Sequence, residues 1–438
     1  MRLTNVAQMI LPAGRLHSYA TEIRVDFAAE LPISFDQGRH VALGDRAGSW
    51  MAVALRLPAP VPHDDLATAW HAVISRHGTL QTAFSHEPSG EVSLSRVEVS
   101  SGVWREHPVA PGHATRDVLR DVLDEACSPF SRPSHLLCVV EPESDDRPVV
   151  VIGSDHSHVD MWSLLIIVRD LTSALAAVEA GEDPALSPAA TFAEHTTVLK
   201  RMPPAPAEIG ERWDRILDAG DGLMPVFPLP LGDVSVPQAE VVEVRDVLDS
   251  ADVRVFEAEA AAAGVRPTAL ALSVLTQVTR DMSGQALRAV FPVHSRHEAR
   301  WLDAVGWFIT NAVIECVEAT PKACAAAVKD ALALGSYPLA PIFAPYGGMP
   351  QGPGMFAISW LDTRRLPEVA PDLSIQYVSA SIRTDGVMIW FIVNESGLHL
   401  RCRYPETPEA RANVGGWLDS IAQALRALSG VDVGTVGG

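Results

Sequence analysis

The chain has 438 residues, 47% of them hydrophobic and 20% charged, which is too long for one ordinary core and suits two domains. Its 34 Lys and Arg stand against 54 Asp and Glu, a net charge of −20 that repels phosphate backbones and anionic lipid surfaces and argues against a nucleic-acid partner. Cys127, Cys138, Cys316, Cys324 and Cys402 form no close pair and no zinc-type spacing, the pattern of buried free thiols in a reducing compartment. Polar Thr4, Asn5 and Gln8 followed by Pro12 give no signal-peptide pattern. No apolar run approaches the ~20 residues of a membrane span, since the run from Met161 meets Arg169 and Asp170. The expected location is cytoplasmic.

In chain order, residues 51–57 read as a strand closed by Pro58 and Pro60. Residues 64–76 read as a helix, with Leu66, Trp70, Val73 and Ile74 at helical spacing. A β-rich stretch (92–97), a helix (115–127) and two strands (136–140 and 148–152) follow. Residues 162–178 read as a helix. The stretch 180–190 is polar and proline-bearing, a linker. Short helices at 191–201 and 206–218 lead to a strand at 241–248 and helices at 251–263 and 267–281, the last with proline at its first position. Strands are expected at 287–293 and 305–317, a Pro/Gly-rich loop at 340–354, strands at 356–361, 374–380, 387–393 and 398–404, and a closing helix at 408–428. The pattern is a two-lobed α/β or α+β protein: an N-terminal lobe over 1–180, a linker and crossover over 181–240 and a C-terminal lobe over 241–438. The site is expected between the lobes.

The segment Asp155-His156-Ser157-His158-Val159-Asp160 lies between two apolar runs, and it admits three chemistries. His156 can act as a general base, because imidazole titrates near neutrality, with Asp160 anchoring the loop by pairing with an arginine. Alternatively His156, His158 and Asp160 alternate and could share one face of an extended segment. That spacing resembles metallo-β-lactamase-type hydrolases, although the histidine usual after the aspartate is replaced by Met161. Further ligands would have to come from residues such as His195 or His294. Thirdly, His156 can be a satisfied core histidine.

The surroundings of the segment resemble the condensation-domain superfamily of acyltransferases, which includes chloramphenicol acetyltransferase-like folds and polyketide-associated (Pap) acyltransferases. Against the superfamily motif His-His-x-x-x-Asp-Gly, Asp155 takes the first histidine's place, His156 the second's, Asp160 the aspartate's and Met161 the glycine's. Five further stretches agree in order: Pro32 to Gln37, Arg76 to Thr82, Ser295-Arg296 with Val305 to Asn311, Val226 to Pro237, and Ile358 to Asp362. The last two are similar to the trehalose-ester-forming Pap enzymes. The Asp-Phe-Gly-Trp-Gly motif of peptide condensation domains is not visible.

This resemblance implies two chloramphenicol acetyltransferase-like lobes with an active-site tunnel between them. An acyl group would pass from a thioester, on coenzyme A or a carrier-protein phosphopantetheine arm, to a hydroxyl of a sugar such as trehalose or of a polyketide or peptide alcohol. His156 would be the catalytic base, with no metal and no bound cofactor. Asp160 and Arg296 would pair across the lobes as structural groups, and His158 would be a bystander. Met161, Trp162, Ser163, Trp307, Asn311, Ser359 and Asp362 would line the substrate site, and backbone N–H groups near Met161 to Ser163 would receive the oxyanion. Arg76 and His77 would be core elements. Amide or ester formation between carrier-bound peptide intermediates is the alternative within the fold, and the metallohydrolase is the alternative outside it.

Overall fold

The computed structural model describes residues 2–144 and 146–430. The chain forms two compact units. The first comprises the chain up to Arg201 together with Arg296–Ile309 and Leu366–Ser381; the second comprises Met202–Ser295, Thr310–Arg365 and the chain from Ile382 onward. Two stretches of the 241–438 half therefore belong to the first unit, and the 181–240 crossover is divided between the units near residue 201.

In the first unit the strands are β1 (Arg2–Asn5), β2 (Gly14–Glu30), β3 (Trp50–Arg56), β4 (Thr82–His86), β5 (Val92–His107), β6 (His135–Pro142) and β7 (Val149–Asp155). The helices are α1 (Phe35–Val41), α2 (His63–Arg76), α3 (Thr115–Ala126), α4 (Met161–Glu179) and α5 (Phe192–Lys200). In the second unit the helices are α6 (Ala207–Asp218), α7 (Ser250–Ala262), α8 (Pro267–Ser283), α9 (Pro321–Leu334), α10 (Leu339–Phe343) and α11 (Pro408–Leu428). The later strands are β8 (Gln238–Asp249), β9 (Leu287–His294), β10 (Ile309–Cys316), β11 (Phe356–Asp362), β12 (Gln376–Ser379), β13 (Arg383–Thr384), β14 (Val387–Asn394) and β15 (Gly397–Pro405). Two mixed sheets result, ordered β1-β12-β3-β7-β6-β2-β5-β4 and β10-β9-β11-β14-β15-β8-β13.

Strand β12 arises late in the chain but pairs parallel with β1 and antiparallel with β3. Local periodicity gives no indication of that placement. At the centre of the same sheet every residue of β7 is buried, which is why its first four residues, 149–152, read as an apolar run. Helix α4 matches the expected 162–178 helix and runs on through Arg169-Asp170, where its apolar stretch ends. Asp170 is buried, ion-paired with Arg76 at 3.1 Å and Arg169 at 3.0 Å and hydrogen-bonded to His77 at 2.7 Å, so its charge is neutralised within the core. By length and composition α4 could cross a membrane, but 56% of its most apolar window is buried inside the protein.

Three further segments differ from expectation. The 305–317 strand begins only at Ile309, because the residues before it wrap around Arg296. The 340–354 stretch contains α10 and a 3-10 turn rather than only loop. Strand β5 extends ten residues beyond the expected 92–97 stretch, to His107. All five cysteines are buried free thiols.

Candidate functional site

The loop from His156 to Asp160 is held from three directions. On its N-terminal side, β7 ends at Asp155, whose Oδ1 accepts from the Ser157 amide at 2.9 Å and also from the Ser157 hydroxyl. Asp160 begins α4 as its N-cap, accepting from the Ser163 amide at 2.7 Å. From outside, the Gln37 amide donates to the Ser157 carbonyl at 2.8 Å. Gln37 is itself fixed by a capping box with Ser34 at the start of α1. The Pro32–Gln37 element thus has a mechanical purpose: its serine starts a helix and its glutamine braces the histidine loop.

His156 is half-buried. Its backbone amide donates to Ser49 at 3.0 Å, and its Nδ1 lies 2.9 Å from the Val159 carbonyl. A carbonyl can only accept, so Nδ1 carries the proton and Nε2 carries the lone pair. The ring stacks on Trp307, with centroids 4.0 Å apart and planes 16° from parallel. Burial lowers the His156 pKa, helped by the field of His40 and opposed by hydrogen bonds at Nδ1 and by Asp155. The imidazole is therefore neutral at pH 7.

Asp155 takes part in a relay that local spacing does not reveal. Arg46 Nη2 donates to His40 Nδ1 at 2.9 Å, and His40 Nε2 then donates to Asp155 Oδ2 at 3.1 Å. Burial pushes the Asp155 carboxyl up. The hydrogen bond and attraction of His40, with hydrogen bonds from Ser157 and Ser49, overcome that push and hold it at about 2. His40 also packs edge-on to Trp307 at 5.4 Å and lies 6.1 Å from the His156 ring. The position of the superfamily's first histidine thus holds a carboxylate, and an imidazole from α1 stands beside it.

Asp160 and Arg296 are 2% and 4% exposed. Arg296 Nη2 donates to both Asp160 oxygens, at 3.0 and 3.2 Å, and to Ser163 Oγ at 2.9 Å. Its Nη1 donates to the carbonyls of Trp301 and Ala304 at 2.7 and 2.6 Å, and the guanidinium lies 3.8 Å over the Phe308 ring. The Phe308 amide completes the carboxylate's shell at 3.0 Å. The expected pair forms, but inside the first unit, because Arg296–Ile309 belongs to that unit. Glycine is required at position 306, where a Cβ would overlap the Phe192 ring.

The remaining expected residues separate into three groups. Met161, Trp162 and Trp307 are half-buried near His156 in chain or space; Trp162 Nε1 donates to the Leu302 carbonyl at 2.9 Å, and the Met161 carbonyl accepts from Tyr377 at 2.9 Å. Ser163, expected to line the substrate site, is fully buried and exchanges hydrogen bonds with Gly306 at 2.9 and 3.0 Å. It is a structural residue, and its amide is taken by Asp160, so it is removed from the candidate oxyanion donors. Asn311, Ser359 and Asp362 lie on β10 and β11 in the second unit. There Asp362 is ion-paired with Arg364 at 2.8 Å and Arg365 at 3.4 Å.

His158 turns into the core. It is 1% exposed, shares Nδ1 with Ser134 and Ser157 at 3.0 and 2.9 Å, and meets Phe84 edge-on. Burial brings its pKa down to about 4. With His158 turned inward and Asp160 committed to Arg296, the two cannot share a metal with His156. Arg76 and His77 bind Asp170, and Thr79 donates to the Val305 carbonyl at 2.6 Å. That motif is a core brace.

The condensation-domain family model matches residues 42–332, more than half of the 438-residue chain. The chain belongs to the condensation-domain family. Among its relatives, acyltransferase PapA3 of Mycobacterium tuberculosis is 22% identical over 95% of this chain and 93% of its own length. Trehalose-2-sulfate acyltransferase PapA2 of the same species is 24% identical over 64% of this chain and 62% of its own length. The solved structure of PapA2 acyl transferase superposes with a TM-score of 0.84 at 19% identity, covering 98% of this chain and all of that one. The first condensation domain of the calcium-dependent antibiotic synthetase gives 0.71 at 14% identity, covering 93% and 97%. The two-sheet architecture is thus that of the two-lobed, chloramphenicol acetyltransferase-like condensation fold. This condensation-family chain is a transferase of the acyltransferase kind, similar to the polyketide-associated Pap proteins.

Proposed function

We propose that this condensation-family enzyme transfers an acyl group from a thioester to a hydroxyl acceptor, with His156 as general base. The supporting observation is the hydrogen bond from His156 Nδ1 to the Val159 carbonyl at 2.9 Å, which leaves Nε2 basic on a half-buried ring. In the proposed reaction Nε2 takes the acceptor's hydroxyl proton as its oxygen attacks the thioester carbonyl. The resulting oxyanion collapses, the C–S bond breaks and the proton passes to the thiolate. Backbone N–H groups of the first turn of α4, near Met161, are the proposed oxyanion donors. Asp160 and Arg296 position this loop without touching substrate.

The donor is proposed to be acyl-CoA or an acyl group on a carrier protein, with no metal or cofactor taking part in the acyl transfer, and the setting to be cytoplasmic. The name of PapA2 gives trehalose 2-sulfate as that relative's acceptor; a sugar or another small alcohol is proposed here. With a net charge of −20, docking of an acidic carrier protein would need a local basic or apolar patch.

The test offers acyl-CoA and acyl-carrier donors against alcohols, sugars and amines, detecting the released thiol and the product mass. Ester formation that falls ~10²–10⁴-fold in His156→Ala is the expected result. Near wild-type turnover in that variant would remove His156 from the chemistry. Products formed only with amines would move the assignment to peptide-type condensation.

A further inference from the structure

A second cluster of titratable side chains lies in the first unit, on elements that carry none of the groups around His156. In the antiparallel register, His17 faces Glu106 on β5 and Val139 on β6, while Arg15 faces Glu141. Side chains of directly paired residues, and of residues two apart, project from the same face of a sheet. Arg15, His17, Glu106 and Glu141 therefore share one face, together with the Tyr19–Trp104 pair. Helix α2 sets its first residue on that face: the His63 ring stacks on Trp104 at 4.2 Å and meets the edge of His17 at 4.9 Å. A contact of 2.8 Å between Tyr19 Oη and His71 Nε2 holds the next turns of the helix in place.

The geometry is that of a ligand set. His63 Nε2 is 3.3 Å from Glu141 Oε1, and His17 Nδ1 is 3.7 Å from Glu141 Oε2. One donor atom from each of the three residues falls within 4.8 Å of the others. Ligands about 2.0–2.2 Å from a tetrahedral zinc ion stand roughly 3.4 Å apart. Both nitrogens, His17 Nδ1 and His63 Nε2, are buried without a hydrogen-bond partner, and His17 as a whole is 9% exposed. Two such atoms turned toward one carboxylate are costly unless something satisfies them together. Glu106 Oε2 lies 3.9 Å from His17 Nε2, the far side of the ring, where a carboxylate orients a metal-bound histidine. Arg15 also pairs with Glu141, at 2.9 Å, but its side chain is 65% exposed and can swing into solvent.

We propose that His17, His63 and Glu141 form a binding site for a divalent transition metal of the zinc class, with its remaining position open to water. Two imidazoles and a carboxylate suit zinc or a neighbouring ion and not magnesium or calcium, which prefer all-oxygen shells. A bound ion would clamp β2, β6 and the first turn of α2 together, so occupancy would raise the stability of the first unit.

The test uses the tag-free, full-length chain after chelator treatment and dialysis. Zn²⁺ is titrated by calorimetry, and Co²⁺ is added as a spectroscopic substitute whose visible absorption reports a low-coordinate N/O site. The expected result is one equivalent bound at micromolar affinity or tighter. His63→Ala and Glu141→Gln should each abolish stoichiometric binding, and Glu106→Gln should weaken it about tenfold. His63 is partly exposed, so its variant should melt like the metal-free wild type. If it does not fold, Glu141→Gln decides. No stoichiometric binding to the wild type, or unchanged affinity in both ligand variants, overturns the proposal.

Discussion

Replacing Asp160 by asparagine separates a scaffold role from a chemical one. The carboxylate receives two hydrogen bonds from Arg296, one from the Ser163 amide and one from the Phe308 amide. Asparagine keeps the shape and one acceptor but turns an NH₂ toward donors. It also leaves the guanidinium, in a residue only 4% exposed, buried without a counter-charge. Breaking one side of such a pair costs about 3–5 kcal/mol. At roughly 2–4 °C per kcal/mol for a unit of this size, melting should fall by ~6–20 °C. Calorimetry of Asp160→Asn measures the drop, and acyl transfer is assayed on the same samples well below the transition. Adding Arg296→Met should recover part of the loss, because the orphaned charge is gone and the two sites are strongly coupled. A variant that melts within about 2 °C of wild type yet loses its activity would refute the scaffold assignment and put Asp160 in the chemistry.

Because burial lowers the His156 pKa, the acid limb of kcat/KM should have its midpoint below the ordinary histidine value of ~6.5, with a plateau at pH 7; a midpoint at or above that value would contradict a base working from this pocket. Stability should also weaken early on acidification. Burial lowers the pKa values of His135 and His158 to about 4, so below ~6.5 the unfolded chain binds more protons than the folded one. The stabilisation is complete above that pH and is lost as pH falls through about 4, on the order of a few kcal/mol for each histidine. Asp155, held at about 2, keeps its contribution throughout this window, so a melting temperature that stays flat from pH 7 to 5 would contradict the assignment. Gly306→Ala should cost ~1–3 kcal/mol through overlap with Phe192, seen as a lower denaturant midpoint, and Phe192→Leu should restore part of it.

The sequence by itself determined the local and the ordered. Helical spacing marked α2 and α3. The fully buried β7 appeared as an apolar run, and the sequential set of short elements around His156 carried the family. The histidine's proton placement was not legible, because it depends on a carbonyl three residues on that is presented only by the folded turn. His40 and Arg46 are not legible as partners of Asp155, because no spacing rule links residues 40 and 46 to residue 155; α1 and the loop after it bring them there. The role of Ser163 is hidden in the sequence for a related reason. A serine in the first turn of a helix resembles a ligand donor until Gly306, 143 residues later, occupies its hydroxyl. The tertiary structure alone decided that Arg296–Ile309 and β12 join the first unit. Local propensity reports how a segment prefers to bend. Which distant segment a buried charge or a gap in a sheet will recruit depends on burial and partner satisfaction across the whole chain.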